Sequence, residues 1–207
     1  MKKKLVSLTL AVVMLFSVSL AFAKTVEMED TDYEHLAGIV VNATVGEYDA
    51  ASKTLTVTLY EDDAYDIEDV LKLEAGDVFL AGGHLFKVKE VKVEEDGSVH
   101  VTTEEGEEMY FITVGDEDMI VQSSINDRRY MHAFAILHLP VAENLVYEDD
   151  SDPEKENAVV TTGLEEILKI KAEKEETSIG FDYYSTIIEL NENLEIVRIH
   201  QDYDVAQ

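Results

Sequence analysis

Alternating apolar and polar positions predict that most of this chain forms short β-strands. The clearest alternation covers residues 54–60, where leucine and valine occupy one face and threonine the other. Residues 36–45 are rich in Ile and Val and predict a strand that precedes it. Because the polar residues 48–53 lie between the two segments, the simplest pairing is an antiparallel hairpin.

Turns at short intervals predict more antiparallel strands between residues 76 and 114. The predicted turns and strands are Gly76-Asp77, 78–81, Gly82-Gly83, 85–93, Asp96-Gly97, 98–103, Gly106 and 109–114. Within residues 85–93 the apolar side chains change parity, which predicts a β-bulge near Lys89-Glu90. This order, over about forty residues, resembles an SH3-like barrel. The resemblance concerns the fold alone and implies no function, because unrelated activities share such barrels.

The regions before and after these strands have a less regular alternation of apolar and polar residues. The acidic residues 61–69 lead into a predicted helical turn around Ile67, Val70 and Leu71. Residues 119–125 predict another strand. Residues 130–139 fit either a strand or a helix, and we expect Pro140 to end the segment in both cases.

A helix and a hairpin are predicted towards the C-terminus. Residues 162–165 match a capping box, in which a hydroxyl and a carboxylate bind free amides at a helix start. The predicted apolar stripe of the helix consists of Leu164, Ile167, Leu168 and Ala172. Glu165 precedes Lys169 by four residues, which is the spacing of a helical ion pair. Residues 181–190 and 194–203 predict the two strands of the hairpin.

Together these patterns predict a mainly β (α+β) fold. We expect a small SH3-like barrel or curled antiparallel sheet, followed by one helix and a C-terminal β-hairpin. The predicted organisation is a signal peptide at 1–23, a β-rich domain at 24–147, an acidic linker or loop at 148–157, and a helix plus hairpin at 158–207. We expect the last segment to pack on the first region, because roughly fifty residues make a marginal core.

The N-terminus predicts export. Three lysines precede an apolar run at residues 5–20, and Ala21-Phe22-Ala23 provides small residues for cleavage before Lys24. An uncleaved membrane anchor is the alternative. The chain has no cysteine, which excludes disulfides, thiolate metal sites and a lipid-bearing cysteine. We therefore predict a secreted, extracellular protein of a Gram-positive-type bacterium, with no membrane attachment after cleavage.

The charge restricts the class of partner. Forty-five acidic residues against sixteen basic ones give a net charge of −29, and loss of the three lysines before residue 5 changes it to −32. Nucleic acids and anionic membranes are excluded as partners, because their recognition starts from basic patches. Cationic or neutral proteins and small molecules are the expected partners. The oligomeric state has no signal in the sequence.

Catalytic motifs are not apparent. None of the six histidines lies in a metal or triad motif. His132 and His138 cannot be joint ligands, since six residues separate them by roughly 20 Å on a strand and by about 120° on a helix. Nucleophile elbows, phosphate loops and dinucleotide fingerprints are missing. The sequence therefore favours a secreted binding or interaction module of unknown ligand, the alternatives being a small extracellular carboxylate-based hydrolase or a weak calcium-binding protein.

Each alternative has its own candidate residues. Calcium prefers clustered carboxylate oxygens, and Asp149, Asp150 and Asp152 form the preferred candidate, although they lack the glycine and final glutamate of an EF-hand loop. A glycosidase needs two carboxylates, but the chain has no tryptophan for sugar stacking. The tyrosines that could replace it are Tyr33, Tyr48, Tyr60 and Tyr110.

Two residue pairs are candidates for a partner surface. Arg128-Arg129 is the only paired arginine, and it either binds a carboxylate or phosphate or, as we expect on so acidic a surface, forms an internal ion pair. Tyr183-Tyr184 is predicted on a strand with one ring on each face. The outward ring would then contribute to a partner surface.

Overall fold

The protein is mainly β, with a curled antiparallel half-barrel sheet, one main helix and C-terminal strands. The structure is a computed structural model that describes residues 33–176 and 180–202. The predicted signal peptide at residues 1–23 lies outside the described residues. Within the described ranges, the mainly β (α+β) class predicted from the alternation is confirmed.

The strands of the described chain are β1 (Val40–Asp49), β2 (Thr54–Asp62), β3 (Ala64–Asp66), β4 (Val78–Ala81), β5 (His84–Val93), β6 (Val99–Thr103), β7 (Glu108–Val114), β8 (Asp118–Ser123), β9 (Met131–Asp150), β10 (Val159–Thr162), β11 (Thr186–Leu190) and β12 (Ile196–Asp202). The helices are α1 (Ile67–Val70) and α2 (Leu164–Glu176), and a 3-10 turn spans Tyr33–Leu36. In the part of the chain that is described, neither helix has the length and apolar character needed to cross a lipid bilayer.

The chain divides into two compact units. Residues 63–124 form the inserted unit, which is continuous in sequence. Residues 33–62 form the split unit together with the described residues from 125 onwards. These bounds differ from the domain limits expected at residues 147 and 157.

The inserted unit is a curled antiparallel sheet with the strand order β3-β8-β7-β6-β5-β4. Gly82 and Gly83 connect β4 to β5 with φ angles of 55° and 77°, a backbone conformation that favours glycine in two-residue hairpins. The β5–β6 register shifts between Val88 and Glu90, which confirms the bulge predicted near Lys89. After the bulge, Val91 lies opposite the buried Val101, whereas Val93 near the end of the strand is exposed.

Side chains connect the two edge strands of the inserted unit. The Tyr65 hydroxyl on β3 donates a hydrogen bond to the Leu80 carbonyl on β4. The Gly82 amide donates to Asp63 Oδ2 over 2.5 Å. The Tyr65 ring packs edge-on against Phe79 and Phe111, with ring centroids 6.5 Å and 5.1 Å away. Side chains, in place of backbone pairing, thus join the edges of the half-barrel.

The split unit contains a closed ring of five strands. Its sheet has the order β10-β9-β12-β11-β1-β2, and β2 also pairs with β9. The first half of β9 is antiparallel to β2, from Met131 to Pro140. The second half is parallel to β12, with Val146 to Asp150 in register with Arg198 to Asp202. The predicted hairpins β1–β2 and β11–β12 are both confirmed as parts of this ring.

The core of the split unit lies inside the ring and beneath α2. The buried apolar cluster consists of Leu36, Ala43, Val45, Leu55, Val57, Leu59, Leu139, Leu145, Tyr147, Ile167, Phe181, Ile188, Leu190, Ile196 and Ile199. Ile167 is the apolar residue of α2 that is fully buried, while Leu164 and Leu168 pack at the edge of the cluster. The apolar face of α2 is therefore what attaches the helix to the sheet.

Three sequence predictions are corrected in the split unit. Pro140 does not end its segment. It lies where the pairing of β9 with β2 ends and the pairing with β12 begins, so its missing N–H interrupts neither set of hydrogen bonds. Ala172 is exposed and does not continue the apolar stripe. Lys169 pairs with Glu166 over 3.4 Å, and the structure shows no pairing with Glu165.

The acidic tract also differs from the predicted linker or loop at 148–157. Residues 148–150 are the last residues of β9, where Asp149 is paired with Val159 of β10. Residues 151–158 then connect β9 to β10. Strand pairing overrides the low strand propensity of the acidic residues at this position.

Replacing Tyr65 with phenylalanine tests how the half-barrel edges are joined. We expect Tyr65→Phe to lower the free energy of unfolding by about 1 kcal/mol, because the Leu80 carbonyl loses its donor. Urea unfolding of the purified protein measures this. Tyr110→Phe is the matched control, since the Tyr110 ring is half-buried against His100, and it should change stability by less than about 0.5 kcal/mol. Equal losses in the two variants would contradict the role of Tyr65.

Candidate binding surface

Three tyrosines and an arginine of the split unit form a stacked column. The Tyr60 and Tyr183 rings are nearly parallel, with centroids 3.9 Å apart and planes 10° apart. The Tyr183 and Tyr184 centroids are 4.0 Å apart with an angle of 35°. The Arg128 guanidinium carbon lies 3.5 Å from the Tyr184 centroid. We call these four residues the tyrosine column.

The order of the column follows from sterics. Tyr183 and Arg128 both lie within 4.0 Å of the Tyr184 centroid, so they must occupy opposite faces of that ring. By the same argument Tyr60 and Tyr184 occupy opposite faces of Tyr183. The two inner rings therefore have both faces covered. Neither face of these two rings is therefore open to a ligand, whereas the column covers one face of the half-buried Tyr60 ring.

A tight turn before β11 fixes the two inner tyrosines. The Asp182 carboxylate accepts a hydrogen bond from the Tyr184 amide over 3.0 Å, and the Asp182 carbonyl accepts one from the Thr186 amide over 2.9 Å. The Asn42 side-chain amide donates to the Tyr183 carbonyl over 2.8 Å. The prediction that the two rings lie on opposite faces of a strand is wrong, because this turn brings both rings into one stack.

Burial raises the pKa of Tyr183, and hydrogen bonding to Tyr184 raises that pKa further. Both tyrosine side chains are half-buried. The Tyr183 phenol thus stays neutral throughout the physiological pH range. At neutral pH the only formal charge in the column is that of Arg128.

Basic side chains contact the two carboxylates that follow Tyr60. Asp62 Oδ2 accepts a hydrogen bond from Arg129 over 3.0 Å, which confirms the expected internal ion pair for this arginine. Glu61 Oε1 lies 3.1 Å from His132 Nε2. Arg128, the other arginine of the pair, stacks on the Tyr184 ring. Arg129 thus bonds to a carboxylate, and Arg128 packs on an aromatic ring.

An uncharged strip adjoins the column on the outward face of β1, β2 and β9. Leu55, Val57 and Leu59 of β2 are buried, so the alternate residues of the strand point outwards. The strip consists of Asn42, Thr44, Thr54, Thr56, Thr58, Ile136 and His138. Across the strands, Thr44 pairs with Thr58 and Thr58 with Ile136, which is 70% exposed.

Two contacts order the strip and connect it to the column. Thr56 Oγ1 and His138 Nδ1 are 3.0 Å apart, a hydrogen bond between neighbouring strands. Asn42 pairs with Tyr60 across the β1–β2 ladder and also binds the Tyr183 carbonyl. The strip and the column are therefore continuous. None of the strip residues carries a formal charge at neutral pH with histidine neutral.

The three candidate calcium ligands do not face one another as a set. Asp149 Oδ2 lies 2.7 Å from Lys174 Nζ, and the two side chains are only 21% and 16% exposed. Asp152 pairs with Lys155 over 3.3 Å, and Asp150 is exposed. Among the described residues, no group of three His, Asp or Glu side chains is arranged to hold a metal ion. The calcium site at Asp149, Asp150 and Asp152 stays a prediction.

Lys174 is the centre of a polar network between α2 and the sheet. It donates to Gln201 Oε1 over 2.6 Å and to Ser151 Oγ over 3.0 Å, and Gln201 also accepts from the Tyr147 hydroxyl over 2.7 Å. Burial raises the pKa of Asp149, but hydrogen bonds from Lys174 and Ser151 outweigh it and the net pKa lies below the ordinary value. The carboxylate predicted as a metal ligand thus binds the helix to β9.

The remaining aromatic and histidine candidates are dispersed. Tyr48 packs against the core of the split unit, whereas Tyr110 stacks on His100 in the inserted unit. His132 and His138 lie on β9 and have separate partners, Glu61 and Thr56. Of Tyr48, Tyr60 and Tyr110, Tyr60 is thus the one that the fold brings to the tyrosine column, and the side chain of the candidate Tyr33 lies outside what the structure describes.

Comparisons of the chain with protein-family models, with curated proteins and with solved structures find no match. Function is therefore inferred from the surfaces that this chain forms. The sequence had indicated Tyr60, Arg128 and Tyr183-Tyr184 separately, and the threonine face of residues 54–60 was visible in the alternation. Asn42 and Thr44 belong to an Asn-x-Thr glycosylation pattern on a predicted strand, and this pattern does not indicate a ligand site.

Asp149→Asn tests the polar network through its pH dependence. Since the folded pKa is lowered, the carboxylate contributes stability above the unfolded pKa of about 3.9, and this contribution is lost as the pH falls through the folded value. We expect Asp149→Asn to be about 2 kcal/mol less stable at neutral pH, with the difference shrinking below roughly pH 4. Urea unfolding across this pH range measures both effects.

Asp152→Asn is the control for this measurement. Its carboxylate pairs with Lys155 on the surface, so its removal should cost less than about 0.5 kcal/mol at neutral pH. A loss in Asp149→Asn that did not depend on pH would show that the carboxylate charge is not the stabilising group.

Proposed function

We propose that this protein is a non-catalytic binding module that acts outside the cell, and that the tyrosine column with the uncharged strip is its binding surface. The observation that carries the proposal is the column itself, in which Arg128 and three tyrosines stack face to face. Tyrosine and arginine are the side chains most enriched among residues that dominate binding energy. The adjoining strip supplies hydrogen-bonding groups on the same face.

Preorganisation supports a role in binding. The column is held by a turn around Asp182, by the Asn42 amide and by its own stacking. A ligand that meets such a surface does not have to order the side chains first, so less of the interaction energy is lost. The carboxylates beside the column hold Arg129 and His132 in place. Their arrangement favours a positioning role over acid–base chemistry.

The expected compartment fits this proposal. The N-terminal residues 1–23 have the composition of a signal peptide, and the chain has no cysteine. We propose secretion from a Gram-positive-type bacterium on that basis. At a net charge of −29 the protein repels polyanions, so neutral or cationic partners are favoured.

A binding screen with variants tests the proposal. The purified protein is applied to immobilised neutral glycans, basic peptides and anionic polysaccharides, in parallel with Tyr184→Ala. We expect at least one ligand that the wild type binds and that Tyr184→Ala binds at least roughly tenfold more weakly, because the variant breaks the column in its middle. Circular dichroism spectra confirm that the variant is folded.

Tyr110→Ala is the matched control, since Tyr110 also stacks on a ring but belongs to the inserted unit. It should bind the same ligand with unchanged affinity. The proposal is overturned when no ligand of the three classes binds, or when the two variants bind every ligand equally well.

A further inference from the structure

We infer that the ligand of this surface is a neutral glycan, with a sugar ring stacked on the column at Tyr60 and hydroxyl groups bound along the uncharged strip. The inference rests on the proposed function and names the chemical class of the ligand. Sugars combine faces of C–H groups with a rim of hydroxyls. The surface has a matching group for each: an aromatic ring for the C–H face, and a row of uncharged hydrogen-bond donors and acceptors for the hydroxyls.

The distribution of charge argues against a basic protein and against a polyanion as the ligand of the strip. None of the 45 acidic residues occupies the strip positions. Asp49 lies opposite Thr54 at the end of the strip, and its carboxylate accepts hydrogen bonds from Ala51 and Ser52. The carboxylates nearest the column contact Arg129 and His132. A basic protein partner would be attracted to acidic turns such as residues 104–108. The strip has no acidic side chain that would attract such a partner. A polyanion would be repelled by the whole molecule. A neutral ligand is subject to neither effect.

The strip has the hydrogen-bonding chemistry of a hydroxyl-rich ligand. Each threonine hydroxyl donates one hydrogen bond and accepts others, and the Asn42 amide does both. Thr54, Thr56 and Thr58 are alternate residues of one strand, so their hydroxyls repeat at roughly 7 Å along it. An extended sugar chain that runs along β2 can therefore meet a hydroxyl at each repeat. Ile136 adds an apolar group next to Thr58.

Tyr60 supplies the stacking group. Tyr183 covers one of its faces at 3.9 Å, so a ligand can stack only on the other. Tyr60 and the strip threonines of β2 share one face of that strand, and Asn42 is the cross-strand partner of Tyr60. A sugar stacked on Tyr60 thus lies in line with the threonine row. The fixed stack behind Tyr60 prevents the ring from turning away.

Isothermal titration calorimetry with defined oligosaccharides tests the inference. The probes are cellohexaose, chitohexaose and mannohexaose as neutral glycans, hexagalacturonate as an anionic glycan and hexalysine as a cationic peptide. We expect at least one neutral hexasaccharide to bind, with the same affinity at about 50 mM and at about 500 mM NaCl. These concentrations are about threefold below and about threefold above ordinary ionic strength. Hexagalacturonate should not bind.

Two variants separate stacking from hydrogen bonding. Tyr60→Ala should weaken glycan binding at least roughly tenfold. The double variant Thr56→Val with Thr58→Val removes two hydroxyls at nearly constant shape and should weaken it about tenfold. Thr113→Val is the matched control, because Thr113 is an exposed strand threonine of the inserted unit, and its affinity should equal that of the wild type.

The outcomes distinguish this inference from the proposed function. Binding of hexalysine or hexagalacturonate alone, lost in Tyr184→Ala, would overturn the glycan inference and keep the binding module. Binding of no probe would overturn the glycan inference. Glycan binding that Tyr60→Ala and the double threonine variant leave intact would also overturn it, because the sugar would then lie elsewhere on the protein.

Discussion

The continuous strand β9 bonds to β2 along its first half and to β12 along its second, so strands from three separate parts of the sequence close into one ring. This ring buries the apolar cluster of the split unit and provides the surface against which Ile167 of α2 packs. Because β9 is long, it pairs with both β2 and β12 without a turn inside it. Pro140 lies at the point where the pairing with β2 ends and the pairing with β12 begins. The geometry of the whole outward face follows from that closure.

The tyrosine column is a direct consequence of the ring. Tyr60 comes from the end of β2, Arg128 precedes β9, and Tyr183 with Tyr184 precedes β11. Residues on or next to three of the five ring strands thus form one stack. Stacked rings and a guanidinium gain dispersion and quadrupole interactions beyond burial alone. Hydrogen bonds from Asn42 and to Asp182 then limit the motion of the turn. The rigidity of this aromatic surface supports the proposal that a neutral ligand binds to it.

Much of the secondary structure could be predicted from the sequence, because it depends on local patterns. The threonine alternation at residues 54–60, the glycine pair at 82–83 and the parity change near Lys89 each correspond to a feature of the structure. Predictions based on single residues did less well. Pro140 and the acidic residues 148–150 were expected to interrupt regular structure. Pairing of Pro140 with β2, and of the acidic residues with β12 and β10, incorporated them into β9. Pairing between distant strands outweighs local propensity.

The sequence by itself determined the strand-rich class, the absence of cysteine chemistry, the excess of acid and the individual identities of Tyr60, Arg128 and Tyr183-Tyr184. Only the tertiary structure decided that these residues form one column, that Asp149 binds Lys174, and that the threonines of β2 adjoin Asn42 and His138. Residues that meet at the column are up to 124 positions apart, as Tyr60 and Tyr184 show. Periodicity reports the face on which a residue lies, whereas contact at such separations depends on which strands pair and on the turns that join them.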